Sequence, residues 1–295
     1  MRTTTTSSPA RSYDEAIDRA KAFMACDGAN ILPQARTILL EHAAATPLAV
    51  VLFHGLTNSP AQYAQLAPEL YNRGVNVLVP RLPDHGFRDR LTTAIAALTA
   101  ETLIASATEA VDLACGLGER VGVLGISMGG LLAAYAAQFR DVAVAVPVAP
   151  SFALLHLPYP ISRAVAAIGR RLPNRFLWWD PREGASKPPI TAYPRFPTHA
   201  LMQTLRIGDA VYAAARKQPP LADRIVVVVN PRDPAVNNAV ARSVVTAWSA
   251  RKENVAEYVD LTDLPLNHDI IDPQQPLART DLVYPKLFDA LGIGG

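Results

Sequence analysis

Cysteine is scarce in this sequence of 295 residues: there are two, Cys26 and Cys115, far apart and in no metal-ligand or redox spacing. That argues against a disulfide scaffold or a structural zinc site, so no metal is expected. Both thiols read as free in a reducing compartment, and a cytoplasmic location is the expectation. Charge is scarce too, at 18% of residues with a net value of +2, which is too little for a nucleic-acid partner. No apolar run reaches the roughly 20 residues of a membrane span. The opening MRTTTTSSPARSYDEA lacks the apolar core of a secretion signal. There is no glycine-rich phosphate cradle, so no cofactor is implied. We see no internal repeat, and one chain does not define an oligomeric state.

What is abundant is apolar side chain, 50% of all residues, enough for the core of one large α/β domain. The stretch Val121 to Phe139, VGVLGISMGGLLAAYAAQF, organises the rest. A short apolar run, then Gly125-Ile126-Ser127-Met128-Gly129, then Ala and Leu without a breaker reads as strand, tight turn and helix. Side chains two positions before and after a serine on such a turn would collide with the neighbouring strand and helix. Gly125 and Gly129 remove those collisions. The following helix points its unpaired N–H groups and positive end near the Ser127 oxygen, which suits an oxyanion.

Around this centre the chain alternates buried strands with helical segments, the pattern of a mostly parallel sheet with right-handed crossovers. Residues 1–30 read as a polar tail and an outer helix from Tyr13 to Cys26. Residues 31–150 and 223–295 read as the α/β core. Strands are expected near Arg36 to Glu41, Leu48 to Phe53, Val75 to Val79, Val121 to Ile126, Val142 to Val148, Ile225 to Val229 and Val255 to Leu261. A helix is expected to start after Ser59, with Ser59 as N-cap, Pro60 in the first position and Gln62 reaching back in a capping box. Residues 151–222 break the alternation and are dense in proline. A structureless loop of that length is improbable in a compact domain, so the segment reads as a helical cap inserted into the sheet.

Chemistry follows from Ser127. A serine hydroxyl needs a base, and the base needs an orienter. Of the six histidines, His42, His54, His85, His156, His199 and His268, the last lies on a loop after the final strand, where ligands of parallel sheets bind. His54 also follows a strand end, but it reads better as a buried loop histidine that braces its turn, and so does His85. For the orienter, Asp233 is the first carboxylate past the strand that ends in Asn230, with Asp260 and Asp263 as competitors at the end of the next strand. Choosing Asp233 gives the chain order Ser127, Asp233, His268.

The set LFHGLTNSP, VLVPRLPDHG, GISMGG, NPRDPAV and LNHDI, in this order, resembles the α/β-hydrolase superfamily, close to bacterial carboxylesterases and monoacylglycerol-lipase-like serine hydrolases. The resemblance covers the chain from about Ala35 onward. It implies an α/β-hydrolase fold, a mostly parallel central sheet flanked by helices with a helical cap inserted after the sixth strand. It also implies an oxyanion hole from the backbone N–H groups of Leu56 and Met128, and a cap over the site. The expected activity is cleavage of small-molecule carboxylic esters through an acyl-enzyme. Carbon–carbon bond hydrolysis, amide hydrolysis and acyl transfer use the same residues, and a binding module without turnover is a further alternative. Phe152, Trp178, Trp179, Tyr193 and Phe196 are the candidate pocket lining, against the plainer reading that they form the cap's own small core. One departure stands out: many relatives have glycine where this chain has Asp84.

Overall fold

In the computed structural model, which describes residues 8–294, seven strands form one sheet. They are β1 (Ile38–Leu40), β2 (Ala49–Phe53), β3 (Asn76–Val79), β4 (Val121–Ile126), β5 (Val144–Val148), β8 (Arg224–Val229) and β9 (Ala256–Asp260). Their order is β1-β3-β2-β4-β5-β8-β9, and every pairing is parallel except that of β1 with β3. Residues of β2, β4 and β5 are buried on both faces, as their unbroken apolar sequences require.

Helices cover both faces. On one side Val51, Phe53 and Val123 pack against α3 (Ala100–Leu117), α4 (Met128–Phe139), α6 (Thr198–Ala215) and α7 (Asn238–Ser249). On the other Val50, Leu52 and Val146 meet α2 (Leu66–Tyr71) and α8 (Thr280–Leu291). The helix α1 (Tyr13–Ala25) lies outside α3, its start capped by the Ser12 hydroxyl on the Glu15 N–H. Thr99 and Thr102 cap the start of α3 reciprocally.

The sheet register decides where the site forms. Phe53 pairs with Gly125, Ile126 with Val148, Val148 with Val228, and Val229 with Asp260. Five strands therefore end at one edge, and the loops that begin at His54, Ser127, Ala149, Asn230 and Leu261 leave the sheet side by side.

The inserted segment differs from expectation in three ways. It follows the fifth strand, not the sixth. Its second helix, α6, packs on α3 and α4 with Ile207, Val211 and Ala215 fully buried in the main core, so it is the crossover helix from β5 to β8. Residues 151–197 are then the part that stands off the core. They hold α5 (Tyr159–Gly169) and a two-stranded antiparallel piece, β6 (Phe176–Trp178) with β7 (Arg195–Pro197), where no strand was expected. The turn after Ser59 also differs. It is a short 3-10 helix, Pro60–Tyr63, without a side-chain cap, because the Gln62 amide is engaged elsewhere.

Candidate active site

Ser127 sits between β4 and α4 at φ +58°, ψ −114°, a conformation an L-residue reaches only under strain. Its N–H donates to the Val148 carbonyl at 3.0 Å and its carbonyl accepts from the Leu131 N–H at 3.0 Å. The flanking glycines are required sterically: a Cβ at Gly125 would lie 2.1 Å from the Gly129 carbonyl oxygen. One at Gly129 would lie 1.8 Å from the Phe53 carbonyl oxygen. The hydroxyl forms no hydrogen bond with His268 among the described residues.

The structure brings Asp233 and His268 together. His268 Nδ1 and Asp233 Oδ2 are 2.7 Å apart, with the carboxylate fully buried and the imidazole side chain 25% exposed. The other carboxylate oxygen accepts from the N–H groups of Ala235 at 2.8 Å and Val236 at 3.3 Å, which leaves Oδ2 aimed at the ring. With Nδ1–H donated to the carboxylate, the basic lone pair lies on Nε2. Burial pulls the His268 imidazolium down, but the charge and hydrogen bond of Asp233 and the charge of Asp269 outweigh it. The pKa ends above 6.5. Of the competing carboxylates, Asp260 pairs with Arg242 on the surface and Asp263 is exposed.

His54 and His85 behave as braces. The His54 Nε2 accepts from the Leu82 N–H at 3.1 Å and its Nδ1 donates to the Gly55 carbonyl at 2.9 Å. The His85 Nε2 accepts from the Thr57 N–H at 3.2 Å and its Nδ1 donates to the Pro83 carbonyl at 2.7 Å. Each ring thus ties the loop after β2 to the loop after β3. Both are fully buried, and burial, reinforced by the nearby Arg81 charge, drives His85 down to about 4 and His54 well below its ordinary value. His42 stacks on Tyr71, the His199 ring bonds the Leu172 carbonyl, and His156 is an exposed loop residue.

The loop after β2 spends most of its donors. Gly55, Thr57, Asn58 and Ser59 all use their N–H groups, on Gln62, His85, Gly55 and Asn58 respectively. The Leu56 N–H has no partner among the described residues, and neither does that of Met128 in the first turn of α4. A Cβ built on Gly55 would lie 3.7 Å from the Ser127 Cβ, so this loop runs against the turn that carries Ser127.

The five aromatic candidates separate. Phe152 is core, packed against Gly208. Tyr193 is buried, its hydroxyl accepting from the Phe87 N–H at 3.0 Å and donating to the Asp84 carbonyl at 3.2 Å. Trp179 donates its indole N–H to the Thr57 hydroxyl at 2.8 Å and packs on Phe196, ring centres 4.2 Å apart. Trp178 is exposed, with Arg195 over its ring. Asp84 has φ +63°, a left-handed conformation that glycine reaches freely and that aspartate, like asparagine, tolerates better than most side chains. A cleft of about 430 Å³ opens beside Asp233, lined by the apolar Leu155, Leu157, Pro158, Pro231 and Val236 and by the polar His156, Asn237 and Asn238.

Asn230 was missed in the sequence. Fully buried, its amide donates to the Pro265 and Asn267 carbonyls, each at 2.8 Å, and its side-chain oxygen accepts from the Arg232 N–H at 3.0 Å. It pins the Asp233 loop to the His268 loop. Its place at the strand end was the only signal available.

A serine elbow at the centre of a sheet with this strand order defines the α/β class of hydrolases. Residues 50–279 match the model of the alpha/beta hydrolase family, and the chain belongs to it. No curated protein matches it in sequence. Among solved structures it is similar to one from a study of LipS and LipT, two metagenome-derived lipolytic enzymes (TM-score 0.68, 22% identity, 88% of this chain and 98% of that one). It is also similar to the monoacylglycerol lipase of Paleococcus ferrophilus (0.64, 17%, 87% and 98%). A third similar structure is the enol-lactonase of Burkholderia xenovorans LB400 (0.55, 19%, 90% and 99%). At these identities the likeness is one of fold.

Proposed function

We propose that the chain is a serine hydrolase of carboxylic esters, with Ser127 as nucleophile, His268 as base and Asp233 as orienter. The observation that carries this reading is the 2.7 Å contact of His268 with the buried Asp233, at the sheet edge where the strained Ser127 also sits. Ser127 Oγ attacks the ester carbonyl while His268 Nε2 takes its proton, and Asp233 holds the ring and stabilises the imidazolium. The N–H groups of Leu56 and Met128 receive the developing oxyanion, a contribution on the order of 3 kcal/mol per donor. His268 then returns the proton to the leaving alcohol. Water, deprotonated by the same ring, attacks the acyl-enzyme and releases the acid.

The lipolytic and lactone-cleaving relatives support ester substrates, open-chain or cyclic. The cleft beside Asp233 mixes apolar side chains with His156, Asn237 and Asn238, and does not by itself select between acyl and alcohol portions. The test is a panel of p-nitrophenyl esters of increasing chain length, with an anilide and a lactone, together with fluorophosphonate labelling. We expect turnover of the esters, labelling at Ser127, and loss of both in Ser127→Ala. Unchanged turnover by that variant would overturn the reading.

A further inference from the structure

The loop that carries His268 has a second carboxylate directly after it. Asp269 Oδ2 accepts from Gln62 Nε2 at 2.7 Å, from Gln275 Nε2 at 3.2 Å and from Asn58 Nδ2 at 3.4 Å. Its Oδ1 accepts from the N–H groups of Ile271 at 3.2 Å and Asp272 at 3.1 Å. The other end of the Gln62 amide reaches the opposite loop, where Oε1 accepts from the Gly55 N–H at 2.9 Å. Gln62 is 3% exposed, so neither contact competes with bulk water. One amide thus joins the residue before Leu56 to the residue after His268, across 207 positions of chain.

We propose that Gln62 and Asp269 are positioning residues, a strut that sets the base against the oxyanion donor. This rests on the function proposed above, because it matters to catalysis only if His268 and Leu56 have those roles. The polarity of the strut is fixed. An oxygen must face the Gly55 N–H and an N–H must face the carboxylate, so glutamine fits and its acid isostere does not. The carboxylate of Asp269 likewise has no donor of its own to offer. A misplacement of an ångström between reacting groups costs roughly a hundredfold in rate, so a strut of this kind is felt in kcat.

The polarity supplies the test. Gln62→Glu sets acceptor against acceptor, and Asp269→Asn, with its remaining oxygen on the Ile271 and Asp272 N–H groups, sets donor against donor. The double variant restores one donor facing one acceptor in reversed sense. The readout is kcat per site titrated with fluorophosphonate, which removes any misfolded fraction, with KM measured alongside on a short-chain p-nitrophenyl ester. Each single variant should lose about tenfold or more in kcat with KM little changed, and the double should recover the part owed to the Gln62 contact, the donors of Gln275 and Asn58 still facing residue 269. A second readout is the acid limb of kcat/KM. Asp233 and Asp269 are the charges that face His268, with Asp272 behind Asp269, and Asp269→Asn should move that limb to lower pH. Single variants that keep wild-type kcat per site, or a double variant no better than either single, would overturn the strut. Absence of labelling in the unmodified protein would instead overturn the serine-hydrolase reading itself.

Discussion

Two parts of the site are held by different physics. The turn at Ser127 is positioned by backbone and by missing side chains: sheet hydrogen bonds on one side and two glycines packed onto carbonyl oxygens on the other. The loops bearing Asp233 and His268 are positioned by polar side chains, chiefly Asn230 across the two loops, with Asp233 itself fastened by backbone N–H groups. A steric mount tolerates changes of charge and pH but no added atom. A polar mount tolerates added atoms at its exposed rim but not the loss or reversal of one hydrogen bond.

The sharpest way to break the first mount is Gly129→Ala. The new methyl would overlap the Phe53 carbonyl, which belongs to the strand and has nowhere to go. We expect loss of several kcal/mol of stability and no fluorophosphonate labelling, read by thermal unfolding and gel fluorescence. Asn230→Ala attacks the second mount by leaving the half-buried carbonyls of Pro265 and Asn267 without their donor. About 1 to 3 kcal/mol of stability and about tenfold in kcat should go, while labelling at Ser127 persists slowly.

Acid separates the mounts without mutation. Under the proposed mechanism activity needs neutral His268, whose pKa lies above 6.5, so ester turnover should fall as pH drops through that value while the fold stays intact. The brace histidines act on stability instead. Burial holds His85 down to about 4 when folded, against about 6.5 when unfolded, so it binds fewer protons in the native state across that interval. Its contribution is full above the unfolded value and is lost as pH falls toward 4, about 3 kcal/mol in all. His268 acts in the opposite sense on stability, its contribution present in acid and lost as pH rises through its folded pKa. Circular dichroism and turnover measured over one pH series should therefore give two separate midpoints, activity being lost first.

The smallest expected effect is Trp179→Phe. It keeps the ring on Phe196 but removes the N–H held by Thr57, next to Leu56. A few-fold loss in kcat, equal across acyl chain lengths, would place Trp179 with the polar mount, whereas a change confined to long chains would make it pocket lining.

Much of this was legible in the sequence because it depends on local pattern. Ser127 with Gly125 and Gly129, and the placement of Asp233 and His268 past strand ends, follow from turn sterics and the carboxyl-edge rule. The brace reading of His54 and His85 also agrees with the structure. What was not legible depends on contacts between distant residues. Gln62 looked like a local capping residue because its partners, Gly55 and Asp269, are brought near only by the sheet. β6 and β7 are three residues each, too short for periodicity, and α6 was assigned to the cap because nothing in its own sequence says that α3 and α4 wait beneath it.

The neighbours β5 and β8 are parted in the chain by the whole of residues 149–223. During synthesis the ribosome delivers the serine, its strands and both backbone donors well before it delivers Asp233 and His268. On the proposed roles, a nascent or truncated chain that stops short of β8 carries an unarmed alcohol. The proposed base comes last, in the loop after β9, so the proposed triad is complete only once nearly the whole chain has been made.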